Sequence, residues 1–308
     1  MHILITDQVD SVLIALLKKN RINYTFNLEK NEDEILEKIH DFDGMIVRNR
    51  LNINSTFLKK AINLKFIARY GSGMEKIDAQ KAKELGITCF NAAEGNANSV
   101  GEHAAGMLLS LLHNITNSHQ ELSKNIWERE KNRGVELENM TIGIIGYGNT
   151  GSAFARKMIN FDCEIIVYDK YKSDFGNKKI HEVNMETIYT KSDIVSFHVP
   201  LNDETLHMFN ENFINNMCKQ FYLINTSRGK VVSTTHLVNG LTNKTILGAC
   251  LDVFENESEK FNSINIDDSF NYLVNCPNVI MTPHIAGLSK NANTKLSEII
   301  VSKILALK

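Results

Sequence analysis

Three places in this chain combine residue types that could do chemistry together. In the first, the apolar run Thr141–Ile145 leads into Gly146-x-Gly148-x-x-Gly151, and a helical period continues from Ser152 to Ile159. Three glycines so spaced allow a tight turn, a close backbone approach to a pyrophosphate, and close packing of helix on strand, while the helix start offers N–H groups to phosphates. A bare G-x-G-x-x-G is weak evidence by itself. In this chain a second apolar run, Ile165–Tyr168, ends in Asp169, 18 residues beyond Gly151. That is close to the spacing expected of a carboxylate that accepts hydrogen bonds from ribose hydroxyls. Such a carboxylate repels a 2′-phosphate, which favours NAD over NADP, although Lys170 stands beside it. A structural glycine turn with a solvated Asp is the plainer alternative.

The second place, an Arg, and the third, a Glu and a His from two segments, also lie just beyond apolar runs, where the carboxyl ends of parallel strands bind ligands. Thr226-Ser227-Arg228-Gly229 follows Phe221–Asn225, Asp252-Val-Phe-Glu-Asn-Glu257 follows Ile246–Leu251, and Thr282-Pro283-His284 ends the run from Val279. A guanidinium can hold a carboxylate with its planar fork and polarise an adjacent carbonyl. Taken alone, Arg228 reads better as a phosphate-gripping or surface residue. A Glu beside a His orients the imidazole and favours its charged form, which suits proton transfer coupled to hydride exchange at a carbon bearing oxygen. The sequence leaves open whether Glu257 and His284 meet, and most of the ten histidines should be surface or packing residues.

The elements that must position these residues read as α/β throughout, because apolar runs of four to six residues alternate with segments of helical period. Strands are expected at His2–Thr6, Asn23–Phe26, Gly44–Val47 and Phe66–Tyr70, with helices near Val9–Lys19, Glu32–His40 and Ser55–Ala61. These make one small doubly wound unit. A second series at Thr141–Ile145, Glu164–Tyr168, Asp193–Phe197, Phe221–Asn225, Ile246–Leu251 and Val279–Thr282 makes a complete dinucleotide-type sheet. Ser99–Asn117 is expected as a buried helix, Ser289–Lys308 as a helix burying Leu296, Ile299, Ile300, Ile304 and Leu305, and Glu255–Asn271 as a surface loop or insertion.

Composition narrows the function classes. With 308 residues, 43% hydrophobic and a net charge of -2, the chain has material for about two domains and no global field to draw nucleic acid or anionic lipid. Cys89, Cys163, Cys218, Cys250 and Cys276 are scattered without a C-x-x-C pair, so reduced thiols and no metal site are expected. No leader or membrane-spanning run is apparent, and a soluble, cytoplasmic protein is expected.

Taken together, IVRNR (Ile46–Arg50), RYGSGMEKID (Arg69–Asp78), SVGEHAAG (Ser99–Gly106), GIIGYGNTG (Gly143–Gly151), HVPLNDET (His198–Thr205), INTSRGKVV (Ile224–Val232), GACLDVFENE (Gly248–Glu257) and TPHIAG (Thr282–Gly287) resemble the D-isomer-specific 2-hydroxyacid dehydrogenases, in particular their D-3-phosphoglycerate dehydrogenase branch. The likeness covers almost the whole chain. It implies a catalytic triad of Arg228, Glu257 and His284, in which His284 exchanges the hydroxyl proton, Glu257 orients it, and Arg228 binds the substrate carboxylate with the N–H groups of Ser72 and Gly73. It implies an NAD site lined by Gly146, Gly148, Asn149, Thr150, Gly151, Asp169, His198, Val199, Pro200, Thr205, Thr226, Ser227, Arg228, Asp252, His284, Ala286 and Gly287, with Asp252 near the carboxamide. It implies a Rossmann NAD-binding domain (99–284) inserted into a flavodoxin-like substrate domain (1–98 and 285–308). A homodimer is implied through the helix from Ser99 and the arm carrying Trp127, for which interdomain packing is an equal alternative.

Arg48, with Arg50 nearby, resembles the family's anion-contacting loop, so 3-phosphohydroxypyruvate and a place in serine biosynthesis are the leading expectation. Hydroxypyruvate, glyoxylate or other 2-oxo acids stay open, as does an NADH-sensing binding role of the kind related corepressors perform. The chain departs from the family pattern where Ser258 rather than Pro follows Glu257 and where Gly101 precedes Glu102. It stops soon after the tail helix, so serine inhibition through a carboxy-terminal regulatory domain is not expected.

Overall fold

The structure, a computed structural model, describes residues 1–29, 32–258 and 264–307. The chain divides into two compact units, Met1–Ala97 with Leu288–Lys308, and Asn98–Gly287.

The first unit is a five-stranded parallel sheet of β1 (His2–Ile5), β2 (Asn23–Phe26), β3 (Gly44–Val47), β4 (Phe66–Arg69) and β5 (Thr88–Asn91), in the order β2-β1-β3-β4-β5. This is the flavodoxin-like order. Strands covered on both faces must be apolar at successive positions, and alternate side chains indeed enter opposite layers. Leu4, Met45 and Val47 pack with Ile35, Phe57 and Leu58. Ile3, Ile5 and Ile46 pack with Leu13, Leu17, Leu296, Ile300 and Ile304. The last three come from the tail helix Lys290–Leu305, whose first turn is capped by the Ser289 hydroxyl accepting from Ala292 N–H at 3.0 Å. Tyr70 pins that helix by donating to Asn293 O at 3.0 Å and sharing a 2.9 Å hydrogen bond with Ser297 Oγ.

The second unit is a seven-stranded parallel sheet of β6 (Thr141–Ile145), β7 (Glu164–Tyr168), β8 (His181–Glu182), β9 (Ile194–Phe197), β10 (Phe221–Asn225), β11 (Ile246–Leu251) and β12 (Val279–Met281). Its order, β12-β11-β10-β9-β6-β7-β8, is the dinucleotide-binding order extended by one strand. Chain order reverses between β6 and β9, where such sheets open a crevice at their carboxyl ends.

The expectations differ from this fold at four places. Strands β5 and β8 were not anticipated: both are sheet edges, and Thr-Cys-Phe-Asn and His-Glu lack the apolar run that marks a central strand. The long helix spans Ala93–Leu112 rather than starting at Ser99, because its first turns hold the weak helix formers Gly95, Asn96 and Asn98. Gly95 is needed there, since a Cβ would stand 2.9 Å from Leu296 N. That helix ends before Asn114, at φ 50°, and a separate helix Ile115–Ser123 follows. Within the expected Glu255–Asn271 loop, Asp267 caps a helix, Asp268–Asn275, and residues 259–263 lie outside the described residues. No described helix is long and apolar enough to cross a membrane, and no group that could hold a metal ion occurs among the described residues.

Candidate active site

The glycine turn is built by exclusion. Gly146 has φ 96°, and a Cβ on it would lie 2.5 Å from His198 O. A Cβ on Gly151 would lie 2.0 Å from Gly146 O, whereas one on Gly148 would meet nothing within 4 Å. Two glycines are therefore demanded by the protein's own packing, and the third leaves the turn open to an incoming group. The helix Asn149–Met158 begins there with no side-chain cap and no acidic residue in its first turn, which leaves Asn149, Thr150 and Gly151 at a helix terminus suited to phosphate. At the end of β7, Asp169 is held by Tyr147 N–H at 2.6 Å on one oxygen and by Tyr171 and Lys172 N–H at 2.9 and 3.0 Å on the other. Lys170 is turned to Glu204, at 2.6 Å.

Two polar atoms on this rim are buried without a partner among the described residues: His198 Nδ1, after β9, and Thr226 Oγ1, after β10. Burial drives the His198 pKa down to about 3, so the ring is neutral; its Nε2 shares a 2.8 Å hydrogen bond with Ser196 Oγ. Val199 lies close to Gly146, and Thr205 closes the loop after Pro200 by donating to Pro200 O at 2.6 Å. Ser227 Oγ donates to Asn225 Oδ1 at 2.8 Å. Unsatisfied buried polar atoms are rare; beside an open glycine turn they fit a polar, phosphate-bearing ligand.

The candidate catalytic side chains leave adjacent strands. Asn225, Leu251 and Met281 lie side by side in register at the ends of β10, β11 and β12, and Arg228, Asp252 and His284 follow within three residues of each. His284 Nδ1 lies 2.7 Å from Glu257 Oε2, and Glu257 Oε1 accepts Phe254 N–H at 2.5 Å. Arg228 Nη1 donates to Ser227 O at 2.7 Å. His284 has φ 54°, a left-handed conformation costing on the order of 1–3 kcal/mol. Asp252, 1% exposed, sustains it: its carboxylate accepts from Thr282 Oγ1, Ile285 N–H and Ala286 N–H at 2.6–2.8 Å, and its carbonyl accepts His284 N–H at 2.8 Å. His103 Nε2 adds a 2.9 Å hydrogen bond to Thr282 Oγ1, and Ser99 donates to Ala286 O, ahead of Gly287, at 2.7 Å. Sequence reasoning had not found the parts played by His103 and Thr282, because neither belongs to a spacing pattern that marks a bond between distant segments.

In the first unit, Arg48 N–H and Arg50 N–H donate to the Asp7 carboxylate at 3.0 and 3.2 Å. The Arg50 guanidinium donates to Thr6 O at 2.7 Å and to Asn27 O. Arg48 lies over the Tyr70 ring at 5.6 Å. Ser72 Oγ donates to Asn96 Oδ1 at 2.7 Å, and Ser72 O accepts from Asn91 Nδ2 at 2.6 Å, ahead of Gly73.

A dinucleotide-type sheet with an imidazole–carboxylate pair at its ligand-binding end is an arrangement that suits a nicotinamide-dependent dehydrogenase. Comparison with known proteins gives the family: residues 105–286 match the NAD-binding domain of the D-isomer-specific 2-hydroxyacid dehydrogenases, and this chain belongs to that family. It is 33% identical to a hydroxypyruvate reductase of Thermotoga maritima over 97% of this chain and 96% of that one. It is 31% identical to a D-3-phosphoglycerate dehydrogenase of Methanocaldococcus jannaschii over 99% of this chain, spanning only 57% of that protein. The D-lactate dehydrogenase of Lactobacillus jensenii, solved with NAD+, superposes with a TM-score of 0.82 at 26% identity, covering 100% of this chain and 96% of that one. The chain is thus an NAD-dependent oxidoreductase of the 2-hydroxyacid dehydrogenase type.

Proposed function

We propose that this enzyme interconverts a D-2-hydroxy acid and its 2-oxo acid, with D-3-phosphoglycerate and 3-phosphohydroxypyruvate as the physiological pair. The observation that carries the dehydrogenase reading is the 2.7 Å contact between His284 Nδ1 and Glu257 Oε2, because a carboxylate on one ring nitrogen fixes the imidazole for proton transfer, while the phosphorylated pair rests on the family resemblance and on Arg48. Bound NAD accepts hydride in one direction, and NADH donates it in the other. His284 removes the hydroxyl proton on oxidation and returns it on reduction, while Glu257 fixes the orientation of the ring. Arg228 holds the substrate carboxylate and polarises the 2-oxo group, joined by the N–H groups of Ser72 and Gly73. Gly146, Gly148, Asn149, Thr150 and Gly151 hold the pyrophosphate, and Asp169 the ribose hydroxyls. Val199, Pro200, Thr205, Thr226, Ser227, Asp252, Ala286 and Gly287 complete the cofactor site. Arg48 is the cation for a substrate phosphate. A homodimer formed through the helix that contains Ser99 and the arm carrying Trp127 is part of this reading, and the exposure of Trp127 on that arm supports it.

One observation favours a second reading, an unphosphorylated hydroxypyruvate or glyoxylate substrate: the Arg50 guanidinium is already engaged by two main-chain carbonyls, which leaves a single Arg for a dianion. The test is NADH consumption with phosphohydroxypyruvate, hydroxypyruvate, glyoxylate and pyruvate, repeated with NADPH. Preference for the phosphorylated acid supports the first reading, and preference for a small acid the second. His284→Ala should lower turnover by roughly 10²- to 10⁴-fold and leave NADH binding intact; NADH binding without turnover in the unmodified protein would overturn both readings.

A further inference from the structure

Two residues before Glu257 the same turn carries another carboxylate, and it also holds an imidazole. Glu255 Oε1 lies 2.6 Å from His207 Nε2, and Glu255 Oε2 accepts Thr234 N–H at 2.9 Å. Neither residue takes part in the reaction described above. Their partners show what the pair joins. His207 lies in the segment after β9 with φ 49°, a conformation rarely stable without support. Its N–H donates to Lys230 O at 2.8 Å, and its carbonyl accepts from Asn210 Nδ2 at 2.9 Å. Phe209, fully buried, continues the contact: its N–H donates to Val231 O at 3.0 Å and its carbonyl accepts Ser233 N–H at 2.9 Å. Lys230, Val231 and Ser233 all belong to the segment that begins with Arg228. Thr234 opens the helix Thr234–Thr242, where Ser233 makes no side-chain cap bond and Glu255 supplies the acceptor instead.

The Glu255 carboxylate therefore joins the segment around His207, the segment after Arg228, and the turn that carries Glu257. The last two touch directly, since a Cβ on Gly229 would stand 1.8 Å from Phe254 O. Phe254 N–H is also what holds Glu257 Oε1. A shift of Phe254 consequently turns the carboxylate that holds His284.

We propose that Glu255 and His207 are positioning residues: by clamping the 254–257 turn to the segment after Arg228, they fix Glu257 in the orientation that presents His284 for proton transfer. This rests on the reading of Glu257 and His284 as the proton-transfer pair. Burial pulls the Glu255 carboxyl upward, but the Thr234 and His207 hydrogen bonds outweigh it and hold the group below its usual range. The Glu255 carboxylate is thus ionised near neutral pH.

The test uses the purified full chain and the best 2-oxo acid of the panel. Glu255→Ala is expected to lower kcat roughly tenfold, since small misplacements of reacting groups cost that much or more, while the Kd for NADH, read by fluorescence titration, stays within about twofold. Glu255→Gln and His207→Gln keep the shape and hydrogen bonding of the pair and should restore most of kcat. His207→Ala, at a side chain 44% exposed, repeats the test at a site where folding is less at risk. A role confined to stability would lower Tm and yield and leave kcat per folded molecule unchanged. Full kcat in both alanine variants overturns this inference alone. No turnover by the unmodified protein overturns the reading of the site and this inference with it.

Discussion

The two sheets reverse chain order at equivalent places, β6 and β9 in the larger and β1 and β3 in the smaller, yet their carboxyl ends are finished in opposite ways. At the larger sheet the turn is lined with glycine, Gly148 faces open space, and His198 Nδ1 and Thr226 Oγ1 are buried without partners. At the smaller sheet the chain's own groups fill the equivalent place. Asp7 accepts from Arg48 and Arg50 N–H, Thr6 Oγ1 donates to Asp7 at 2.8 Å, and the Arg50 guanidinium binds the carbonyls of Thr6 and Asn27. Among the described residues, Asn27 Oδ1 is the one buried side-chain atom there without a partner. Topology supplies the crevice in both sheets; side-chain chemistry decides whether a ligand or the protein satisfies it.

The most severe way to break this contrast is a methyl group in the glycine turn. Gly151→Ala places a Cβ 2.0 Å from backbone that cannot give way, and should cost about 3 kcal/mol or more and abolish NADH binding. Gly148→Ala adds the same methyl group to open space, so Tm should stay within a few degrees while NADH affinity falls at least tenfold. Thermal unfolding beside NADH titration separates the two. Equal loss of Tm in both variants would mean that the turn is open only in appearance.

At the smaller sheet the expected pattern is reversed. Arg50→Met removes the donors that satisfy two carbonyls and should cost about 1.5–3 kcal/mol, with NADH affinity unchanged. Urea unfolding measures the first and fluorescence titration the second. If stability is unchanged but turnover of a phosphorylated acid collapses, Arg50 serves substrate rather than fold, and the contrast between the sheets narrows.

How much of this was legible before the structure depends on whether each feature is local in the sequence. The α/β class, the central strands and the glycine turn were legible because burial on both faces writes apolar runs and close packing writes glycine at fixed spacing. The strand β8 was not, since His181–Glu182 is an exposed edge without an apolar run, paired with β7 through its backbone. The residues Arg228, Glu257 and His284 could be singled out by type and by their place after apolar runs, but type and spacing alone do not bring Glu257 to His284. The 2.7 Å contact of Glu257 with His284 spans 27 residues and depends on the register of β10, β11 and β12. Asp252 illustrates the limit: its place after a strand marks it as a cofactor-site candidate, but nothing local shows that its two oxygens also hold the 282–286 turn, whose groups lie 30–34 residues away. The Glu255–His207 pair was invisible for the same reason, as its 48-residue separation carries no period.

The smallest effect tests whether the open rim is open at a cost in acid. His198 is buried with its pKa lowered to about 3 and its Nδ1 unpartnered, while in the unfolded chain an imidazole takes up a proton near pH 6.5. Between these values the unfolded chain binds the extra proton, so this residue's contribution is present above about pH 6.5 and is lost as the pH falls toward 3. Carboxylates titrate in the same window, and comparison with His198→Asn cancels them. The stability gap between the two proteins should therefore change with falling pH, in favour of the variant, by at most about 1.4 kcal/mol per pH unit. Urea unfolding at pH 7, 6 and 5 reads this directly. A gap that does not move would show that the ring is protonated in place, with its second nitrogen bonded, and the larger sheet would then satisfy its own rim just as the smaller one does.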